Sequence, residues 1–383
     1  MSQAARGKLG PNDLCWCKSG KKYKKCHRDS SDFPRPEAHE VISKILSNFK
    51  AETRCHAPIS VDQTCTESAI RAHSISRMSA LSLIAREGHV YQPQLNPFEH
   101  FKNKGQMTVR LIGIKVASTF FGFCKNHDNE LFERIDQLGF ELNHEAIFTL
   151  HYRALCKELS AKLPSTKSDE VLRFADRGLP ESIQKPLNEA LDLRDEVRNL
   201  SLKELQEDKL TMDTFLLKKD FGAVQFCILK FECAPIAACS GYVQPVFDFA
   251  GKVLQDLNNT RVRVHCHAFT LLPVEGGQIV ILSWLPEGAP FARAFAESLL
   301  DVPDPKKGTA ILQYLFNGFE NFALSPEWWE SLNAEQMDLI NRQMQEWLGP
   351  TPFFHLVDPN ALKPSETDLA NWKFLGSNWA GGQ

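Results

Sequence analysis

The stretch Cys15-Trp16-Cys17-Lys18-Ser19-Gly20-Lys21-Lys22-Tyr23-Lys24-Lys25-Cys26-His27 holds three cysteines and a histidine and has no aliphatic side chain. Such a segment has nothing apolar to fold around. What it offers is a Cys-x-Cys knuckle and a later Cys-His pair, a donor set that a tetrahedral zinc ion takes. Gly20 supplies the turn between the two halves, and the lysines favour thiolate over thiol. Metal binding and folding are then one event. The alternative is a lysine-rich loop with incidental cysteines.

With Pro11, Asn12 and Asp13 before the ligands, residues 11–28 resemble the SEC-C motif. That pattern usually has a small residue or proline between the first two cysteines and glycine before the serine; here these are Trp16 and Lys18, and the ligands are intact. The resemblance implies zinc binding by Cys15, Cys17, Cys26 and His27, in a module that contacts a ribosome or a protein partner. Lys18, Lys21, Lys22, Lys24, Lys25 and Arg28 also form a local basic patch interleaved with Trp16 and Tyr23. Charge and stacking of this kind suit DNA or RNA. A solvated loop around a structural metal accounts for the lysines equally well.

Away from this module the chain is ordinary. It has 383 residues, 43% hydrophobic and 24% charged, with a formal charge of −3. Two or three folded units are expected, and the whole molecule is no basic nucleic-acid coat. Met1 to Gly10 carry no apolar run of the signal-peptide type, and no stretch reaches the roughly 18 apolar residues of a membrane span. The expectation is a bacterial-type cytoplasmic protein without membrane contact, whose eleven cysteines serve as metal ligands or buried thiols rather than disulfides.

The periodicities give an α+β protein in six parts: 1–30, the zinc module; 31–50, a linker and short helix; 51–140, a zinc-stabilised unit; 141–215, a helical hairpin; 216–350, an α+β domain; 351–383, an irregular tail. Val41, Ile42, Ile45 and Leu46 mark the helix at 38–50. Ile147, Leu150, Ala154 and Leu155 fall at helical spacing, and a second helical run covers 168–201, interrupted near Gly178–Pro180. From 222 the period changes to two, with strands expected at Val224–Phe231, Val243–Phe249, Arg261–Leu272 and Gln278–Leu285; Gly276-Gly277 signals a hairpin. Helices are expected at 290–300, 308–320 and 333–347.

A second ligand set is more dispersed. Cys124-Lys125-Asn126-His127 has Cys-x-x-His spacing at the opening of a helix, and Cys55 and Cys65 complete four ligands. A knuckle followed by a helix is how a treble-clef zinc unit is built. The alternative is buried thiols beside unrelated histidines. Ala72-His73-Ser74-Ile75 and Gly122–Asn129 together resemble the HNH nuclease unit. That resemblance implies an endonuclease cleaving DNA or RNA, in defence against foreign nucleic acid. His73 would be the general base, and Asp128 or Asn129 would help hold Mg²⁺ or Mn²⁺ at the scissile phosphate. Ala72 stands where that family has an acidic residue or histidine, a gap that His89 would have to fill. Otherwise His73 is a zinc ligand or a capping residue, and the protein is a non-catalytic zinc adaptor binding ribosome, nucleic acid or a partner protein. His265 and His267 share a strand face but lack further ligands. No P-loop, dinucleotide fingerprint or Gly-x-Ser-x-Gly elbow occurs.

Overall fold

The computed structural model describes residues 9–17, 19–50, 54–58, 65, 68–94, 107–257, 259–346 and 358–381. The chain divides into two compact units, one of residues 1–52 and 162–201, the other of residues 53–161 and 202–383. It is an α+β fold.

The larger unit is built on an eight-stranded sheet. Its strands are β2 (His89–Gln94), β3 (Thr108–Gly113), β5 (Gln225–Glu232), β6 (Ala237–Val243), β7 (His267–Val274), β8 (Gly277–Trp284), β9 (Phe322–Leu324) and β10 (Lys373–Ala380). They lie in the order β10-β5-β8-β7-β6-β9-β2-β3, and every neighbouring pair is antiparallel. The remaining strands, β1 (Ile70–His73) and β4 (Thr119–Phe123), form a separate antiparallel pair.

The central strands β6, β7 and β8 are buried on both faces and read as near-continuous apolar runs. Alternation survives in the choice of partner. Cys227, Leu229 and Phe231 pack with Phe295, Leu299, Ile311 and Leu315 in one core cluster. Those last four residues come from the helices Ala289–Asp301 and Asp304–Gly318. Phe226 and Ile228 instead pack with Ile147, from the helix that starts at His144. Trp284, Phe231, Phe269 and Phe295 are fully buried, each stabilising the fold by about 2–3 kcal/mol.

The β7–β8 hairpin turns at Gly276, whose φ of 71° favours glycine, and Val274 pairs with Gly277 as the double glycine predicts. Four expectations need correction. The strand expected at Val243–Phe249 instead ends at Val243, because Pro245 cannot donate to a ladder. The strand expected from Arg261 starts only at His267. The amides of Val264 and His265 donate to side chains, Glu204 Oε1 at 3.1 Å and Gln255 Oε1 at 2.8 Å, in place of a neighbouring strand. The tail expected to be irregular contains β10, an edge strand along β5, where one-sided pairing tolerates Gly376 and its register shift. Residues 351–357 of that tail lie outside the described residues.

The fourth correction concerns boundaries. Residues 51–140 and 216–350 share one sheet, because Tyr91 of β2 pairs with Leu324 of β9. Near this junction Ser74, Ser118 and Asn321 form a buried network. Ser118 Oγ lies 2.6 Å from Ser74 Oγ and donates to Asn321 Oδ1 at 2.8 Å, while Asn321 Nδ2 donates to the Ser240 carbonyl at 2.7 Å. At 141–215 two long helices occur, His144–Phe174 and Glu181–Lys218, with residues 162–201 belonging to the smaller unit. Among the described residues no helix is long and apolar enough to cross a membrane.

Candidate metal centres

In the smaller unit, backbone bonds fold residues 10–28 back on themselves. Cys15 N–H donates to Lys21 O at 2.8 Å, across a turn in which Gly20 has φ 72°. Tyr23 N–H donates to Asp13 O at 2.8 Å and Lys24 N–H to Pro11 O at 3.0 Å. The residues before the ligands therefore anchor the half that carries Cys26 and His27. Cys15 Sγ and Cys26 Sγ lie 3.2 and 3.3 Å from His27 Nδ1, and Cys17 Sγ lies 3.5 Å from Cys26 Sγ.

All four donor atoms fall within 4.8 Å of one another. A tetrahedral zinc with its usual bond lengths sets S···N near ~3.6 Å and S···S near ~3.8 Å. The four atoms thus form a slightly contracted cage that fits a zinc ion, and the Trp16 ring covers one side, 4.3 Å from that of His27. Burial raises both Cys15 and Cys17, and hydrogen bonding separates them in acidity. Burial pushes Cys15 up to about 12. Cys17 is raised by burial but lowered more by Ser19 and the neighbouring thiols, and stands at about 7. Burial works against charge on His27, yet the Asp176 carboxylate raises its pKa.

The second cluster lies in the larger unit. Cys124 is the N-cap of the helix Lys125–Asp136, and His127 sits in its first turn. His56 N–H donates to Gly122 O at 2.7 Å, bringing Cys55 alongside the end of β4. Cys55 Sγ and Cys124 Sγ each lie 3.3 Å from His127 Nδ1, and Cys65 completes the four. Burial raises Cys55 to about 11. The surroundings are aromatic: Phe123 packs edge-on to Phe132 at 4.8 Å and lies 6.1 Å from Tyr152. His127 Nε2 is buried without a hydrogen-bond partner among the described residues.

The residues implied by the nuclease resemblance are arranged differently. His73 ends β1, half-buried, with Nε2 2.9 Å from the Ile114 carbonyl oxygen; burial lowers its pKa. Asp128 lies partly buried at the start of the helix, raised to about 6 by burial against the opposing pull of Arg153. Asn129 is exposed. His73 and Asp128 join neither cluster, and the two Cys₃His sets are the metal-type groupings found among the described residues. His89 is exposed, its Nδ1 2.9 Å from Glu87 O. His265 stacks on Phe291 outside the strand, while His267 is buried against Tyr314 Oη at 2.7 Å, so the pair shares no ligand position.

One residue of the first centre escapes sequence reasoning altogether. Asp176, 149 residues from His27, lies with Oδ2 2.8 Å from His27 Nε2. It lies in the turn after the helix His144–Phe174, and nothing in the sequence around it singles it out.

In comparison with known proteins, residues 12–29 match the SEC-C motif. No curated protein and no solved structure matches the chain.

Proposed function

We propose that the chain is a non-catalytic zinc adaptor that binds nucleic acid through its N-terminal module. The observation that carries this reading is that each centre has four protein donors, the closed coordination of a structural zinc, with no position left for water or substrate. His73 points the same way, since its Nε2 is already engaged by a main-chain carbonyl. Around the first centre Lys21, Lys22, Lys24, Lys25 and Arg28 are all exposed, so a rigid metal-bound loop displays five cations to solvent. Such a loop loses little entropy on binding a phosphate backbone.

The test is fluorescence anisotropy with a structured RNA and a DNA duplex, at 50 and 200 mM salt, with Mg²⁺ and Mn²⁺ cleavage assays beside it. Four phosphate contacts predict an affinity loss of about 10²-fold across that salt range. Replacing Lys21, Lys22, Lys24 and Lys25 by alanine removes that dependence while both zinc ions stay bound. Equal binding by wild type and the quadruple variant refutes a nucleic-acid role for the module. Cleavage that disappears in a zinc-replete His73→Ala chain establishes the nuclease instead.

A further inference from the structure

We propose that Asp176 is the outer-sphere partner of the first zinc centre, so that metal loading governs docking of residues 23–35 on the turn 175–180 and the segment 181–188. The inference rests on zinc at Cys15, Cys17, Cys26 and His27, and not on the nucleic-acid partner.

Asp176 is 1% exposed, and a buried carboxylate needs donors. It has two on the same oxygen: with His27 Nδ1 facing the thiolates, Nε2–H donates to Oδ2 at 2.8 Å, and Asn188 Nδ2 donates at 2.6 Å. A carboxylate on the far nitrogen of a metal-bound imidazole fixes its tautomer, orients the ring and raises its basicity. Zinc on Nδ1 in return makes Nε2–H the stronger donor. The two bonds support each other.

The same turn grips the chain just after the ligands. Gly178 N–H donates to Ser30 O at 2.9 Å, and Gln184 Nε2 donates both to Ser30 Oγ at 3.0 Å and to Asp176 O at 3.1 Å. Gly178 has φ 76°, and a Cβ there would stand 2.7 Å from Phe33 O, so the backbones meet with no space for a side chain. Arg177 lies 5.7 Å from the centre of the Phe33 ring. This surface is polar and closely fitted, and His27 joins it to the metal cage by bonding Asp176. Whatever docking adds to zinc affinity, zinc adds to docking.

The experiment titrates the full chain with a chromophoric zinc chelator and follows backbone amides by hydrogen exchange. Asp176→Asn retains the side-chain volume, and Asp176→Ala removes the group. In both, one zinc is expected to bind 10–100-fold more weakly while the second holds its wild-type affinity and reports an intact larger unit. Chelation of wild type should expose the Gly178 amide to exchange. Unchanged affinity in both variants, or a Gly178 amide equally protected with and without zinc, overturns the proposal. A zinc count unaffected by Cys17→Ser would remove the first centre itself, an outcome separate from a failure to bind nucleic acid.

Discussion

The two centres share a donor set and little else. In the first, the ligands fall within thirteen residues, tied by main-chain bonds, with the Trp16 ring over one side. In the second, they come from distant points of the chain and lie among Phe123, Phe132 and Tyr152. The histidines differ accordingly. His27 has a carboxylate on its outer nitrogen, whereas that nitrogen of His127 is buried with no partner among the described residues. A local site with no core needs metal and an outer shell to hold its shape. A site inside a hydrophobic cluster is positioned by packing, and can carry an unsatisfied donor at a cost of about 1–3 kcal/mol.

The largest effect that could break this contrast is metal removal. Structural zinc contributes on the order of 10 kcal/mol to segments of the first kind. Cys26→Ser should therefore abolish exchange protection throughout residues 9–30, while the protection of β5, β7 and β8 stays as it was. A segment that keeps its protected amides without zinc has a source of stability that the contacts do not contain.

Next in size is packing. Phe132→Ala opens the cluster beside the second centre and should destabilise the larger unit by about 3–5 kcal/mol, measured by urea unfolding. Retention of the second zinc at native affinity in that variant would argue against packing as what positions its ligands.

The smallest effect is acid. His151 is fully buried and pushed down to about 3 by burial, with its Nδ1 3.0 Å from Ser283 Oγ. Its folded pKa lies below its unfolded one, so the neutral form is favoured in the native state. Its contribution is complete above the unfolded value of about 6.5 and is lost as pH falls towards 3. Each proton taken up on unfolding lowers stability by about 1.4 kcal/mol per pH unit. His151→Gln should reduce the slope of stability between pH 6 and 4 by about that amount. An unchanged slope would mean that the imidazole is protonated in place.

The sequence makes the first centre legible because its four ligands and its turn are contiguous. Half of the second is equally plain, since Cys-x-x-His at a helix start fixes two ligands by spacing alone. Cys55 and Cys65 are reached only as the thiols left over, and Asp176 not at all. The resemblance around His73 fails to foretell its surroundings for the same reason. Its engagement with Ile114 depends on how the chain returns after β3, which no short motif encodes. Of the sheet, β5, β7 and β8 are legible in the sequence, whereas β6, β9, β10 and the strand order are not. Hydrophobic period identifies β7 and β8, yet nothing local says that β2 meets a three-residue strand near residue 324.

That short strand has a consequence for how the protein is made. Ser118 and Asn321 are 203 residues apart, and β9 is synthesised only after both long helices and most of the sheet. At about 5–20 residues per second the β2–β3 hairpin waits roughly 10–40 s on the ribosome for its partner. During that time one edge of the hairpin is open to any other strand. Cys55, Cys65, Cys124 and His127 have all emerged by then. A metal held by these four would keep the early part of the chain in order until residue 324 arrives to close the sheet.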